Sequence, residues 1–585
     1  MSGDFNAKQK KKQKIAVIGL SALMMVAMVV AVTVGIKGTG HGIIIDDDDD
    51  DGLATSTKAI RSVCHIVEYR HACERTLAHL HTSDPKMLAT TTFNAALKNL
   101  QGALANSSSI TAPKEDRRTT GAIETCKQVM EYAVGDLKRS IDHMSHFDMH
   151  KKDEYIENMR IWLSGAITLQ ETCIDAFENT TGDAGEKMKN LLVSSRELTS
   201  NSLDIVAELP SIVKSLNSSD SHHHERKLSQ KQEEKDQGDE ELPIWMEFKQ
   251  RRLLRDPGSK VKADIVVSKD GSSKFKTIME ALKEAPVRDP SKEFAGVNKM
   301  FVIYIKEGIY EEQVRVDETK SHIMFIGDGP TKTKITGNNS FADGFVLYKT
   351  ATVSILGRNF IAKDIGFENS AGPEKHQAVS LLVQSDMSIF YNCRIDGYQD
   401  TLYAHSYRQF YRHSTISGSI NLILGNAAAV FQNCKFVIRK PLDDQECVLT
   451  SQGRLHMKEP TGFILQNSTI TADPLYYPLR HKNKAYLGQP WKKFSRTIVM
   501  QSYISDSIDS KGWKPWMGTF GESTCFLSEY ENRGPGAKLE GRVKWQGIKN
   551  IDPREINGFT PRKFYGGDRW IAPTQVPYLA GLMPT

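Results

Sequence analysis

A short pattern recurs in register through the C-terminal half of the chain: an aromatic or apolar residue, any residue, Asn or His, Cys or Ser, any residue, an apolar residue. It occupies Phe390–Ile395, Tyr411–Ile416, Phe431–Phe436 and Leu465–Ile470, with a looser copy at Phe360–Ile365. Successive starts lie 30, 21, 20 and 34 residues apart. Self-similarity at that period is the signature of stacked coils. The units are short, rich in Val, Ile, Phe and Tyr, and lack helical spacing, so each coil contributes strands. Like residues of neighbouring coils then stack, and Cys393, Ser414, Cys434 and Ser468 form one expected ladder. A β-sandwich also gives short strands at regular spacing, but it does not repeat side-chain identity in register. The fold expected is a β-solenoid with parallel strand pairing.

The rest of the chain reads differently. With 585 residues, two or more domains are expected. Residues 15–36 carry no charge and follow a basic segment, 1–14, that contains Lys8, Lys10, Lys11, Lys12 and Lys14. That arrangement predicts a transmembrane or signal-anchor helix with a cytosolic N-terminus. Asp46–Asp51 is read as a solvated acidic run. Export agrees with sequons at Asn106, Asn179, Asn217, Asn338 and Asn467, the candidate glycosylation sites.

Residues 54–214 show helical periodicity. Apolar faces start at Val63, Ile66 and Val67, at Leu97, Leu100 and Leu104, at Ala133 and Leu137, at Ile161, Leu163 and Ile167, and at Leu191, Leu192, Leu198 and Leu203. An all-α four-helix bundle follows, holding Cys64, Cys73, Cys126 and Cys173. It shows no nucleophile–base or metal-ligand spacing, so a binding or chaperoning role is expected. Residues 215–255 form a polar linker. His222, His223 and His224 within it are read as solvated side chains, and no metal or cofactor is expected. A dibasic sequence, Arg251-Arg252-Leu253-Leu254, closes the linker as a candidate processing site. Residues 256–585 carry 43 Lys and Arg against 34 Asp and Glu, a surplus of 9, whereas the whole chain carries +5. An exported, basic all-β domain suits an extended anionic polysaccharide, and nucleic acid is not expected outside the cell.

Five ordered motifs sharpen this picture: Gly308-Ile-Tyr-Glu-Glu312, Gln377-Ala-Val-Ser-Leu381, Tyr398-Gln-Asp-Thr-Leu402, Gly425-Asn-Ala-Ala-Ala-Val-Phe-Gln432 and Leu487-Gly-Gln-Pro-Trp491. With them the chain resembles the plant pectin methylesterases that carry an N-terminal inhibitor-like domain. The resemblance implies a right-handed parallel β-helix for 256–585 and an inhibitor-like bundle for 54–214. It implies disulfides Cys64–Cys73 and Cys126–Cys173, and leaves Cys393, Cys434, Cys447 and Cys525 unassigned. Arg251–Leu254 matches the family's processing motif, which implies a subtilisin-like processing protease as partner. Pectin, as homogalacturonan, and the protein's own inhibitor-like domain are the other implied partners. The implied destination is the cell wall, through the secretory pathway or held at the membrane by the N-terminal anchor.

Ester hydrolysis needs an attacking group, an acid for the departing methanol and donors for the oxyanion. By resemblance Asp400 is the acid and then base, Gln377 and Gln399 are oxyanion donors, Trp491 is the sugar platform, and Leu347 aligns with a cleft Thr of the family. The attacking Asp of the family is replaced here by Asn421, and the Arg that orients it by Gln489. A neutral amide oxygen is a poor nucleophile, and losing a nucleophile costs on the order of 10⁴- to 10⁶-fold. Losing the Asp alone would strand the Arg, at about 3–5 kcal/mol. Two amides remove both charges and can still pair. The family's partner for Cys434 is Ser414 here, and Cys393 lies two rungs away, roughly 9–10 Å at the usual strand spacing and beyond disulfide reach.

Three readings follow. The first is a pectin-binding member of an ester hydrolase family whose own catalysis is impaired or absent. The second is a working esterase in which Asp400 is the base for direct attack by water. The third is a non-enzymatic regulator whose helical domain inhibits other esterases. A lyase or polygalacturonase is disfavoured, because the motifs are esterase motifs and no calcium-binding carboxylate cluster is present.

Overall fold

Residues 50–114, 116–217, 262–289 and 299–584 are described by the computed structural model. The expected anchor at 15–36, the histidine run and the Arg251–Leu254 site lie outside the described residues. No helix among the described residues is long and apolar enough to cross a membrane.

Helices α1 (Asp50–His65), α2 (Arg70–Leu77), α3 (Pro85–Asn106), α4 (Arg117–Ser145), α5 (Lys152–Asp175) and α6 (Ala184–Asn217) form the N-terminal layer. This layer holds six helices among the described residues where a four-helix bundle was expected: the five apolar faces fall at the end of α1 and on α3 to α6, and the eight-residue α2 carries none of them. Asp84 caps α3 by accepting from the Lys86 N–H, with Pro85 in the first turn, where its missing N–H costs nothing. Asp116 caps α4 through the Thr119 N–H. Asp50 and Asp51 of the acidic run lie within α1, and α6 includes residues 215–217 of the expected linker. Cys64–Cys73 and Cys126–Cys173 are both bonded, as the resemblance implied.

The C-terminal domain consists of three sheets of ten, eight and seven strands, all paired in parallel. Phe390, Tyr411, Phe431 and Leu465 occupy one row of the ten-stranded sheet, as the sequence period requires. Phe390 and Tyr411 stack at 4.9 Å between ring centroids, and Tyr411 and Phe431 at 4.5 Å. The Asn/His position of the repeat turns the chain from one sheet to the next. Asn392, His413, Asn433 and Asn467 all have φ between 47° and 56°, the left-handed region that Asn tolerates best. The next position seals the corner: Ser414 Oγ accepts from the Cys393 N–H at 3.1 Å, and Ser468 Oγ from the Cys434 N–H at 3.1 Å. Cys393, Cys434, Cys447 and Cys525 are buried and unbonded. Gly425 has φ +121°, and a Cβ there would run into the Ala404 carbonyl, which accounts for Gly in that motif.

The two layers pack together, and residues 56–585 form one compact unit. Leu382, Tyr403 and Leu424, on the outer face of the seven-stranded sheet, join the apolar core of the helices. Ile161, read from sequence as a bundle-core position, instead packs with Trp162 against the β domain. Polar contacts surround this seam. Tyr407 donates to Asp136 at 2.6 Å, Arg408 to Asn158 at 2.8 Å, Asn426 to Thr168 at 2.9 Å, and Arg315 to Tyr132 at 2.6 Å.

Gly165 lies on α5 where the Tyr407 ring crosses it. A Cβ there would overlap that ring and stand 2.7 Å from Asp136 Oδ2. Gly165→Ala would gain about 1 kcal/mol of helix propensity, yet overpacking costs about 1–3 kcal/mol. The clash wins, and the variant is expected to show a net loss of stability in denaturant unfolding of the full chain.

His456 makes a second seam contact, with its Nε2 2.9 Å from Glu68 Oε2 and 3.5 Å from Asp204 Oδ1. Burial pulls the imidazolium pKa down, but the Glu68 hydrogen bond and the nearby Asp204 and Glu459 charges outweigh it, and it stands above the usual 6.5. A His with a raised pKa adds stability that is full below about pH 6.5 and is lost as pH rises through the folded value. Stability of the full chain is therefore expected to fall as pH rises above about 6.5, and His456→Gln to flatten that fall. Unfolding midpoints across this range check it.

Candidate active site

Six sheet positions explain why the candidate residues meet. Along the seven-stranded sheet one outward row runs Ser354, Leu382, Tyr403, Leu424, Ser451, Gln489. Asp400 and Asn421 sit on the corners just before this sheet, two rungs of the same turn, with φ of 62° and 50°. Asn and Asp are the side chains that accept such a corner most readily, so an Asp→Asn change there needs no backbone adjustment. The turn holding Asp400 is fixed from below by Arg439, whose guanidinium donates to the Gly397 carbonyl and the Tyr398 hydroxyl, each at 2.8 Å.

Asn421 lies between its neighbours as a relay of amides. Its Oδ1 accepts from Ser451 Oγ at 2.6 Å and from Gln489 Nε2 at 2.8 Å, and Gln489 also reaches Ser451 Oγ at 3.2 Å. The amide pair therefore satisfies itself, and a hydrogen bond from Asn421 lowers the Asp400 pKa. Burial acts more strongly in the other direction. Asp400 is 2% exposed, its Oδ1 carries no hydrogen bond, and desolvation, with Glu178 adding to it, pushes its pKa up to about 7. A carboxyl there holds its proton in mildly acidic solution and can donate it.

Gln377 and Gln399 pair across adjacent rungs, and both are half-buried beside Asp400. Trp491 packs over Gly453 at the end of the Gln489 strand. Leu347 is part of a short 3₁₀ turn and packs against the apolar core of the helices, so it meets the bundle. Of the sequons, Asn106, Asn179 and Asn338 are exposed, while the Asn467 amide donates to Asn433 Oδ1 at 3.2 Å inside the corner ladder. Among the described residues no group of His, Cys, Asp and Glu is arranged to hold a metal ion.

Three contributors escaped the sequence. Ser451 stands 30 residues from Asn421 and is brought there by strand register alone. Arg439 supports the Asp400 turn from two coils further on. Lys492, next to Trp491, receives Glu171 Oε1 and Asp175 Oδ1 of α5, each at 2.8 Å. The helices thus lie over the cleft: Thr172 Oγ1 is 2.8 Å from His405 Nε2, and Glu178, in the turn after α5, is close enough to act on Asp400.

The "Pectinesterase" family model matches residues 264–568. The chain belongs to the pectinesterase family. Residues 58–205 match the "Plant invertase/pectin methylesterase inhibitor" family. Among relatives, "Probable pectinesterase/pectinesterase inhibitor 21" of Arabidopsis thaliana is 45% identical over 100% of this chain and 85% of its own length. "Probable pectinesterase/pectinesterase inhibitor 58" of the same plant is 43% identical over 97% of this chain and 98% of its own. The solved pectin methylesterase from carrot superposes with a TM-score of 0.53 at 43% identity, covering 56% of this chain and all of its own. This member of the pectinesterase family therefore joins an inhibitor-type helical region to a domain of three parallel sheets.

Proposed function

We infer that this pectinesterase-family protein binds methyl-esterified homogalacturonan in the cleft of residues 256–585 and hydrolyses the ester very poorly or not at all. The observation that carries this reading is the Asn421–Gln489 pair: Gln489 Nε2 donates to Asn421 Oδ1 at 2.8 Å and Ser451 Oγ donates to the same oxygen at 2.6 Å, so the two amides pair without charge. Gln377, Gln399, Asp400 and Trp491, the residues that the resemblance assigns to the oxyanion, the acid and the sugar, are all present in the chain, which supports retained binding without the nucleophile. Disulfides in the helical region agree with export toward the cell wall. Pectin affinity chromatography of purified 256–585 tests the binding half, with retention on methyl-esterified pectin expected and elution in the void contradicting it.

A second reading is favoured by one feature, the Asp400 carboxyl with its pKa of about 7. A base in that range could activate water directly. That route predicts that Asp400→Asn removes whatever slow methanol release wild type shows, whereas an inert site shows none to lose. Inhibition of other esterases by the helical region would need its cleft-facing side freed, because its own β domain occupies it.

A further inference from the structure

The helical region reaches Lys492, next to Trp491, with two carboxylates. Glu171 and Asp175 are one turn apart on α5, so both point the same way, and each lies 2.8 Å from Lys492 Nζ. Glu171 is also held at 2.5 Å by Arg196 of α6, and Glu178 continues the acidic line toward Asp400. Lys492 itself is 16% exposed and lies 5.1 Å from the Trp491 ring. A row of carboxylates thus runs along a cleft between an ammonium and an aromatic face.

We propose that Lys492 is a subsite for the free carboxylate of a de-esterified galacturonate residue stacked on Trp491, and that Glu171 and Asp175 occupy it as intramolecular stand-ins for that uronate. This rests on the reading of the cleft as a homogalacturonan site and deepens it. An ammonium is a point charge with rotating donors, suited to a carboxylate that arrives on a flexible polymer. A methyl ester carries no charge and gains nothing from it. The subsite therefore prefers stretches of polymer already demethylated, and the acidic stripe of α5 competes for the same cation. Hydrogen bonds to charged groups set the size of the preference, about 10- to 100-fold in affinity.

Calorimetric titration of the full chain with a de-esterified oligogalacturonate and with its fully methyl-esterified counterpart tests this. Glu171→Gln with Asp175→Asn is expected to raise affinity for the de-esterified probe by about 10- to 100-fold over wild type. Adding Lys492→Gln should remove the gain, and adding Lys492→Arg should keep most of it. The methyl-esterified probe should not respond to position 492. Glu171→Gln alone, which leaves the Asp175 pair intact, serves if the double change disturbs folding, and a smaller gain in the same direction is expected. A gain that survives Lys492→Gln, or an equal loss for both probes, overturns the subsite while leaving the cleft as a pectin site. Absence of binding by either probe in every variant of the full chain overturns the subsite, while retention of 256–585 on methyl-esterified pectin decides the pectin reading separately.

Discussion

Changing Asn421 to Asp together with Gln489 to Arg is expected to raise methanol release from methylated pectin by on the order of 10⁴- to 10⁶-fold in the isolated domain of residues 256–585. The geometry gives the reason. Asn421 Oδ1 already accepts two hydrogen bonds, from Ser451 and Gln489, so a carboxylate at 421 has its donors in place. Position 489 stands in the outward row next to Ser451, where a guanidinium can orient that carboxylate. Asn421→Asp alone should recover far less. It would put a second acidic group against Asp400, which burial already raises to about 7, with no cation to keep the new one ionised. The isolated domain is the right vehicle because α5 covers this cleft in the full chain, where the same double variant should release methanol more slowly. Initial rates of methanol production for both single variants and the pair check the expected order.

Arg408→Met is expected to give the largest loss of stability. Arg408 is 2% exposed and donates through Nε and Nη2 to both oxygens of Asp386, at 2.9 and 2.7 Å. Its remaining nitrogen reaches Asn158 of α5 at 2.8 Å, and Trp162 donates to Asp386 at 3.4 Å. Removing the cation leaves a buried carboxylate unpaired, at a cost of about 3–5 kcal/mol. Arg408→Met with Asp386→Leu removes both charges and should recover most of that loss, since an apolar pair of similar volume is often neutral or better. This is the same physical logic as at 421 and 489, where both members of a charged pair are absent together. Denaturant unfolding of the two variants measures the difference, and an equal loss in both would show that shape rather than charge governs the site.

The solenoid was legible because parallel coils repeat their chemistry in register. Phe390, Tyr411 and Phe431 stack because each sits at the same point of its coil, and the Asn of each repeat is dictated by a left-handed corner. Asp400 and Asn421 stand out in the sequence only through the resemblance, and the structure adds that each occupies a left-handed corner. What the sequence hides is the seam between the layers. Tyr407 and Asp136 are 271 residues apart, and no periodicity links them. Ile161 has the spacing of a bundle-core residue yet faces the β domain, because a helix buried on two sides shows only one broad apolar stripe. Leu347, aligned by resemblance with a cleft residue, packs on the helices that cover the cleft, a contact its alignment does not announce. The burial of Asp400 under a covered cleft likewise follows from contacts that no local motif announces.

The most direct measurement is methanol released from methylated pectin by wild-type 256–585, followed over many hours at mildly acidic and neutral pH beside its Asn421→Asp/Gln489→Arg counterpart. The account predicts release indistinguishable from buffer, or lower than the counterpart by on the order of 10⁴-fold or more. Turnover by wild type within about tenfold of the counterpart would contradict it, because a neutral amide at 421 would then not limit the reaction.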